Sequence, residues 1–392
     1  MEYMDMIVPF AGGLGLFIYG MHIMAQGLEN AAGSRLKRLL EILTKSRLAG
    51  VLLGAAVTAV IQSSSATTVM VVGFVNAGIM NLSQAMSMIM GANIGTTVTG
   101  WLVSSVEWAK FLSPASLAPA AVIIGVVLML IARNDQVKEI ASVIIGFGIL
   151  FIGISMMSDA AAPLRNSESF RNAFVAFGKY PVLGILAGAA VTAIIQSSSA
   201  SIGILQALAA SGLVPFSSAV YIIMGQNIGT CATAMLSGIG AKKTAKTAAY
   251  MHLLFNVIGS ALFCAGAIIF FRFINPNLGE RLITQTQISG IHTVFNVVTT
   301  IVLFPFSEQI ISLARKFGRA DKEQLNPAAN TAHLDDRILE TPSIAIQSAV
   351  KEVVRMGQIA EDCIGAMKQA VTHKDLKEVG RVRETESTID EL

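Results

Sequence analysis

Charged side chains are scarce over most of this 392-residue chain, and their distribution constrains what it can be. Asp, Glu, Lys and Arg make up 14% of the residues, and 23 of those 53 fall after residue 320. The remainder sit in short clusters between long apolar runs, and mean hydropathy is +0.64. That excludes an ordinary soluble globular protein and describes a polytopic membrane region followed by a polar tail. Cysteine is also rare. Cys231, Cys264 and Cys363 imply no disulfide framework and have no metal-ligand spacing. There is no HExxH, no P-loop and no nucleophile–base arrangement, so nothing points to an enzyme or a cofactor. A net charge of +3 without a basic, aromatic-interleaved patch argues against nucleic acid. The start Met1-Glu2-Tyr3-Met4-Asp5 lacks the positive region of a signal peptide, so the first apolar run reads as a retained span.

What is present is a sequence written twice. Gly54-Ala-Ala-Val-Thr-Ala-Val-Ile-Gln62-Ser63-Ser64-Ser65-Ala66 returns 134 residues later as Gly188-Ala-Ala-Val-Thr-Ala-Ile-Ile-Gln196-Ser197-Ser198-Ser199-Ala200. The same shift carries Met90-Gly91-Ala-Asn93-Ile-Gly95-Thr96 onto Met224-Gly225-Gln-Asn227-Ile-Gly229-Thr230. Upstream, Gly13-Leu-Gly15-Leu-Phe-Ile-Tyr-Gly20 resembles Gly146-Phe-Gly148-Ile-Leu-Phe-Ile-Gly153.

Apolar stretches near 7–28, 83–105, 115–132, 139–161, 217–238, 248–273 and 288–313 are expected to cross a bilayer. Two more, 48–80 and 182–213, are split by Gln-Ser-Ser-Ser, with flanks too short for full crossings. They are expected to form re-entrant helical hairpins. The expected fold is thus an all-α polytopic membrane protein of two inverted repeats, each with one hairpin, plus a short soluble helical tail. The boundaries are 1–134 for repeat 1, 135–317 for repeat 2 with extra spans, 318–342 for a linker and 343–392 for the tail. With the N-terminus external and the C-terminus cytoplasmic, thirteen Lys and Arg fall on cytoplasmic connections and six on outer ones. In the tail, Ile346, Val350, Val353, Gly357, Ala360, Ile364, Met367 and Val371 form an apolar stripe that needs a partner. That partner is either a larger helical domain or a second copy in a homodimer.

Two opposed hairpin tips can hold a tetrahedral oxyanion without Lys or Arg, using free N–H groups at a helix N-terminus and serine hydroxyls. Asn93, Thr96, Thr97, Asn227 and Thr230 are cation candidates, because adjacent glycines permit local unwinding and carbonyl exposure. The competing reading is that Gly91, Gly95, Gly225 and Gly229 serve close helix packing. His252-x-x-Phe-Asn256 and His292-x-x-Phe-Asn296 form a further echo that places His and Asn on one helix face, for structure or for function. His22 reads as structural, and Asp159 as a carboxylate near an interface.

The doubled Gln-Ser-Ser-Ser, Met90-Gly-Ala-Asn-Ile-Gly-Thr-Thr97 and the His-x-x-Phe-Asn segments resemble the type II sodium–phosphate cotransporters and their bacterial relatives over about residues 7–315. The tail is similar to the PhoU-like domain of many bacterial members, in an incomplete form. The resemblance implies sodium-coupled uptake of inorganic phosphate across the cell membrane. It implies phosphate at Gln62, Ser63, Ser64, Ser65, Gln196, Ser197, Ser198 and Ser199. Sodium falls to Ser65, Thr67, Thr68, Asn93, Thr96, Ser199, Asn227 and Thr230. Thr67-Thr68 becomes Ser201-Ile202 in the second copy and Thr97 becomes Cys231, so the halves are not equivalent. The alternatives are a transporter of another small anion, such as a dicarboxylate, and a phosphate-sensing membrane regulator.

Overall fold

The computed structural model describes residues 4–41, 46–108, 114–318 and 342–373, with scattered positions beyond. Among the described residues the architecture is helical, apart from one isolated bridge between Pro215 and Leu282. The first half comprises α1 (Met4–Glu41), α2 (Arg47–Ile61), α3 (Ser64–Asn76), α4 (Leu82–Trp108) and α5 (Pro114–Ile131). The second comprises α6 (Asp135–Ala161), α7 (Glu168–Lys179), α8 (Pro181–Ile195), α9 (Ser198–Ala210) and α10 (Phe216–Ser237). Then come α11 (Lys243–Ile269), α12 (Gln285–Leu303), α13 (Ser307–Phe317) and α14 (Pro342–His373). The expected linker at 318–342 falls almost wholly outside the described residues.

Among the described residues, five stretches are long and apolar enough to cross a membrane: residues 6–31, 135–164, 216–237, 243–274 and 285–317. The pair α7–α8, bent by 112°, makes a sixth if taken as one span. The sequence reading expected seven. The other two expected spans do form helices, α4 and α5. However, α4 is diluted by Asn93, Thr96, Thr97 and Thr99, while the described apolar part of α5, Leu117–Ile131, is short.

The echoing glycine segments pack on each other. In α1 and α6, Gly13 lies against Gly153 and Gly20 against Gly146, so the helices run antiparallel with backbones in contact. Stripes of small residues allow this approach between apolar helices. The Phe17 ring is fully buried and covers Gly203 of α9. Glycine also sets two turns, Gly78 at φ 70° after α3 and Gly212 at φ 64° after α9, which are equivalent positions 134 residues apart.

The tail differs from a packed amphipathic helix. Ile346, Val350, Val353, Ile364, Met367 and Val371 of α14 are exposed, while Ser348, Glu352, Cys363, Ala366 and Ala370 are buried. The apolar stripe therefore faces outward among the described residues.

Candidate functional site

Each Gln-Ser-Ser-Ser is a break between two helices. α2 ends at Ile61, and Gln62 takes φ 58°; α8 ends at Ile195, and Gln196 takes φ 57°. These are the positive-φ non-glycine residues among those described, and left-handed backbone is strained for such side chains. Each is tied back by its own N–H, Gln62 to the Thr58 carbonyl at 2.8 Å and Gln196 to the Thr192 carbonyl at 2.7 Å. The next residue is extended and caps the following helix. The Ser63 hydroxyl accepts from the Ala66 N–H at 3.1 Å, and Ser197 from Ala200 at 3.2 Å. A hydroxyl pair pins the arms behind each break: Thr58 donates to Thr67 at 3.1 Å, and Thr192 to Ser201 at 2.8 Å.

The two breaks meet. Ser64 Oγ and Ser198 Oγ, equivalent residues of the two copies, lie 3.5 Å apart. Ser199 donates to Thr99 of α4 at 3.4 Å, and Thr99 donates to Gln62 Oε1 at 2.9 Å, so α4 bridges the tetrads. Gln62 Nε2 donates to the Ala59 carbonyl. The second copy is not closed in this way. Thr233, the equivalent of Thr99, has a buried hydroxyl without a partner, and Gln196 makes no matching bond among the described residues.

A cavity of about 400 Å³ opens beside the breaks. All eight tetrad residues line it, together with one face of α1 that includes Ile18, Met21, His22, Gln26 and Glu29. No Lys or Arg does. By helix geometry, the N–H groups of Ser64, Ser65, Ser198 and Ser199 have no acceptor inside α3 or α9. Four backbone donors at two helix N-termini thus border the cavity, an arrangement suited to an anion. The same breaks leave terminal carbonyls of α2 and α8 without helical donors, a feature suited to a cation.

The other candidates lie elsewhere. Thr67 and Thr68 are buried behind the first break, where Thr68 donates to the Ser64 carbonyl at 2.7 Å. Asn93 and Asn227 do not line the cavity. Asn93 donates to Asn256 Oδ1 at 3.2 Å and Asn227 to Asn296 Oδ1 at 3.0 Å, so each repeated motif is joined to one His-x-x-Phe-Asn helix. Asn256 and Asn296 in turn donate to the carbonyls of His252 and His292, at 3.0 and 2.8 Å. Thr96 and Thr230 donate to carbonyls one turn back, Ala92 at 2.9 Å and Gln226 at 3.0 Å. Thr97 donates to Ile94, whereas Cys231 contacts both Asn227 and His252 carbonyls.

The local unwinding that these glycines would permit does not occur; α4 and α10 are continuous through the segments. The glycines serve packing instead. A Cβ on Gly91 would overlap the Val51 carbonyl oxygen, and one on Gly225 the Ile185 carbonyl oxygen. We expect Asn93→Leu and Asn256→Leu to couple in a double-mutant cycle by about 0.6 kcal/mol, and at most about 1.7, measured by unfolding in micelles.

Sequence reasoning missed Thr99 and Glu29 and read His22 as structural. The signal for the α1 residues was their spacing, since His22, Gln26 and Glu29 share one face of an otherwise apolar helix. Asp159 is exposed and does not line the cavity.

Paired helix breaks among apolar helices, with backbone donors bordering one cavity, are an arrangement that membrane transporters use to bind ions. The chain belongs to the Na+/Pi-cotransporter family, whose model matches residues 16–159 and 164–304, one tetrad in each stretch. It is 27% identical over 391 residues to the "Putative inorganic phosphate export protein YjbB" of Salmonella typhimurium, covering 98% of this chain and 69% of that protein. It is 30% identical over 307 residues to "Uncharacterized protein YqeW" of Bacillus subtilis, covering 78% of this chain and 95% of that protein. A stretch of 98 residues is 32% identical to sodium-dependent phosphate transport protein 2A of Rattus norvegicus, covering 24% of this chain and 15% of that protein. No solved structure matches the chain. The protein is therefore a multi-pass membrane transporter and not an enzyme. The family match ends at residue 304, so the PhoU-like resemblance of the tail rests on sequence alone.

Proposed function

We propose that the protein couples the movement of inorganic phosphate into the cell to sodium, by alternating access around the paired tetrads. The observation that carries this reading is the convergence of Gln62–Ser65 and Gln196–Ser199, 134 residues apart in sequence, on one cavity that, among the described residues, no Lys or Arg lines. Phosphate would take the N–H groups and hydroxyls of Ser64, Ser65, Ser198 and Ser199, with Gln62, Ser63, Gln196 and Ser197 framing them. An anion in such a site is costly unless a cation enters with it. Sodium would bind oxygens at the same breaks, at Ser65 and Ser199, with Thr67, Thr68, Asn93, Thr96, Asn227 and Thr230 supplying others behind. The coupling follows from electrostatics, since each ion lowers the cost of holding the other.

Inverted repeats give this site its two routes of access. The contacts between α1 and α6 support the inversion, because they are reciprocal: Gly13 with Gly153 and Gly20 with Gly146, between antiparallel helices. In this reading α2–α3 enters from the cytoplasm and α8–α9 from outside, each as a re-entrant hairpin. The unequal Gln62–Thr99 and Gln196–Thr233 pairs fit halves that exchange roles between states.

A second reading, net phosphate export, is favoured by the names of the YjbB relatives from Salmonella typhimurium and Escherichia coli. Proteoliposomes with opposed gradients separate the two. Radiolabelled phosphate is expected to enter with an inward sodium gradient and to stop when choline replaces sodium. Efflux that ignores sodium supports export, and transport of a dicarboxylate in place of phosphate removes both readings.

A further inference from the structure

The oxyanion reading leaves one wall of the cavity unexplained. Ile18, Met21, His22, Gln26 and Glu29 form that wall on a single face of α1, and Glu29, whose side chain is exposed to solvent, is the carboxylate among the described residues that line the cavity. Everything else suited to holding the anion there donates or can donate: four backbone N–H groups, serine hydroxyls and glutamine amides. An ionised carboxylate only accepts. Beside a fully ionised anion it meets like charge with no hydrogen bond to offset the repulsion. Beside an oxyanion that still carries a proton it accepts the O–H.

The geometry points to Glu29 as a selectivity residue that reads the proton of the transported oxyanion. Hydrogen phosphate and hydrogen arsenate each present an O–H donor to it. Sulfate, which carries none near neutral pH, would leave the carboxylate facing bare oxygen. The inference rests on the oxyanion site proposed above and adds the chemical class that the site admits. A site that hydrogen-bonds a ligand O–H rejects the analogue lacking it far more strongly than a merely fitted pocket does.

The test is competition for sodium-driven phosphate uptake by the full chain in proteoliposomes, with sulfate and arsenate as competitors. Wild-type uptake is expected to fall with arsenate and to ignore excess sulfate. In Glu29→Gln the amide can donate, so the KM for phosphate rises several-fold and the sulfate inhibition constant falls by about tenfold or more. Glu29→Asp keeps an acceptor and continues to exclude sulfate. Continued exclusion of sulfate by Glu29→Gln overturns the assignment, as does equal admission of sulfate by both variants. If Glu29→Gln does not accumulate, Glu29→Asp decides. Its carboxylate is withdrawn by one methylene, so the phosphate KM must rise several-fold, and an unchanged KM overturns the assignment. Wild-type protein that neither binds nor moves phosphate removes the oxyanion reading itself, before any variant is made.

Discussion

Replacing Ser64 and Ser198 together by alanine is expected to lower phosphate uptake by about 100-fold or more, with folded protein still in the membrane. The two hydroxyls face each other at 3.5 Å where the helix breaks meet. Hydrogen bonds to a charged partner contribute about 1.5–3 kcal/mol each. Two of them lost from the bound state amount to roughly two decades or more in affinity. The cost to the fold is small, because alanine keeps the backbone N–H groups of α3 and α9 and the caps at Ser63 and Ser197 remain. Uptake normalised to the protein recovered from the vesicles checks the prediction. Full uptake by the double variant would remove the tetrads as the site.

The second large effect concerns the scaffold. Gly225→Leu is expected to destabilise the protein by more than about 3 kcal/mol and to prevent its recovery in folded form. α10 approaches α8 so closely that any Cβ at Gly225 meets the Ile185 carbonyl oxygen, and Gly91 of α4 stands in the same relation to Val51 of α2. These contacts set where each first arm lies and hence where its break falls. Gly266→Ala is the control: it adds a Cβ in open space on α11 and should be neutral or mildly stabilising. Monodispersity in size-exclusion chromatography and thermal unfolding in micelles distinguish the two variants.

The sequence made the doubled motifs legible because apolar surroundings leave little reason for a polar tetrad to recur at one fixed spacing. Its caps and pins follow from residues that were visible, the first serine of each tetrad and a threonine four residues before each Gln, whereas the left-handed Gln62 and Gln196 do not, since that backbone favours glycine. The role of the Asn-Ile-Gly-Thr segments was not legible. Glycine in a membrane helix is compatible with unwinding or with close packing, and only the position of a neighbouring carbonyl decides. Gly91 and Gly225 have that neighbour. The Asn93–Asn256 and Asn227–Asn296 pairs were half visible, since the echoes were found but not which echo joins which. Glu29 was missed because the first expected span stopped at residue 28, while α1 continues to Glu41 and carries the carboxylate along the face that lines the cavity. Thr99 gave no signal because its partners are remote in sequence: Gln62 is 37 residues away and Ser199 is 100.

In the proposed function the paired breaks hold together the anion and the cation that makes it tolerable. Phosphate binding to the purified full chain, measured by equilibrium dialysis in sodium and in choline, tests it most directly. The account predicts that saturating sodium tightens phosphate binding by about tenfold or more, and that saturating phosphate tightens sodium binding by the same factor. A phosphate affinity that is the same in sodium and in choline would contradict it.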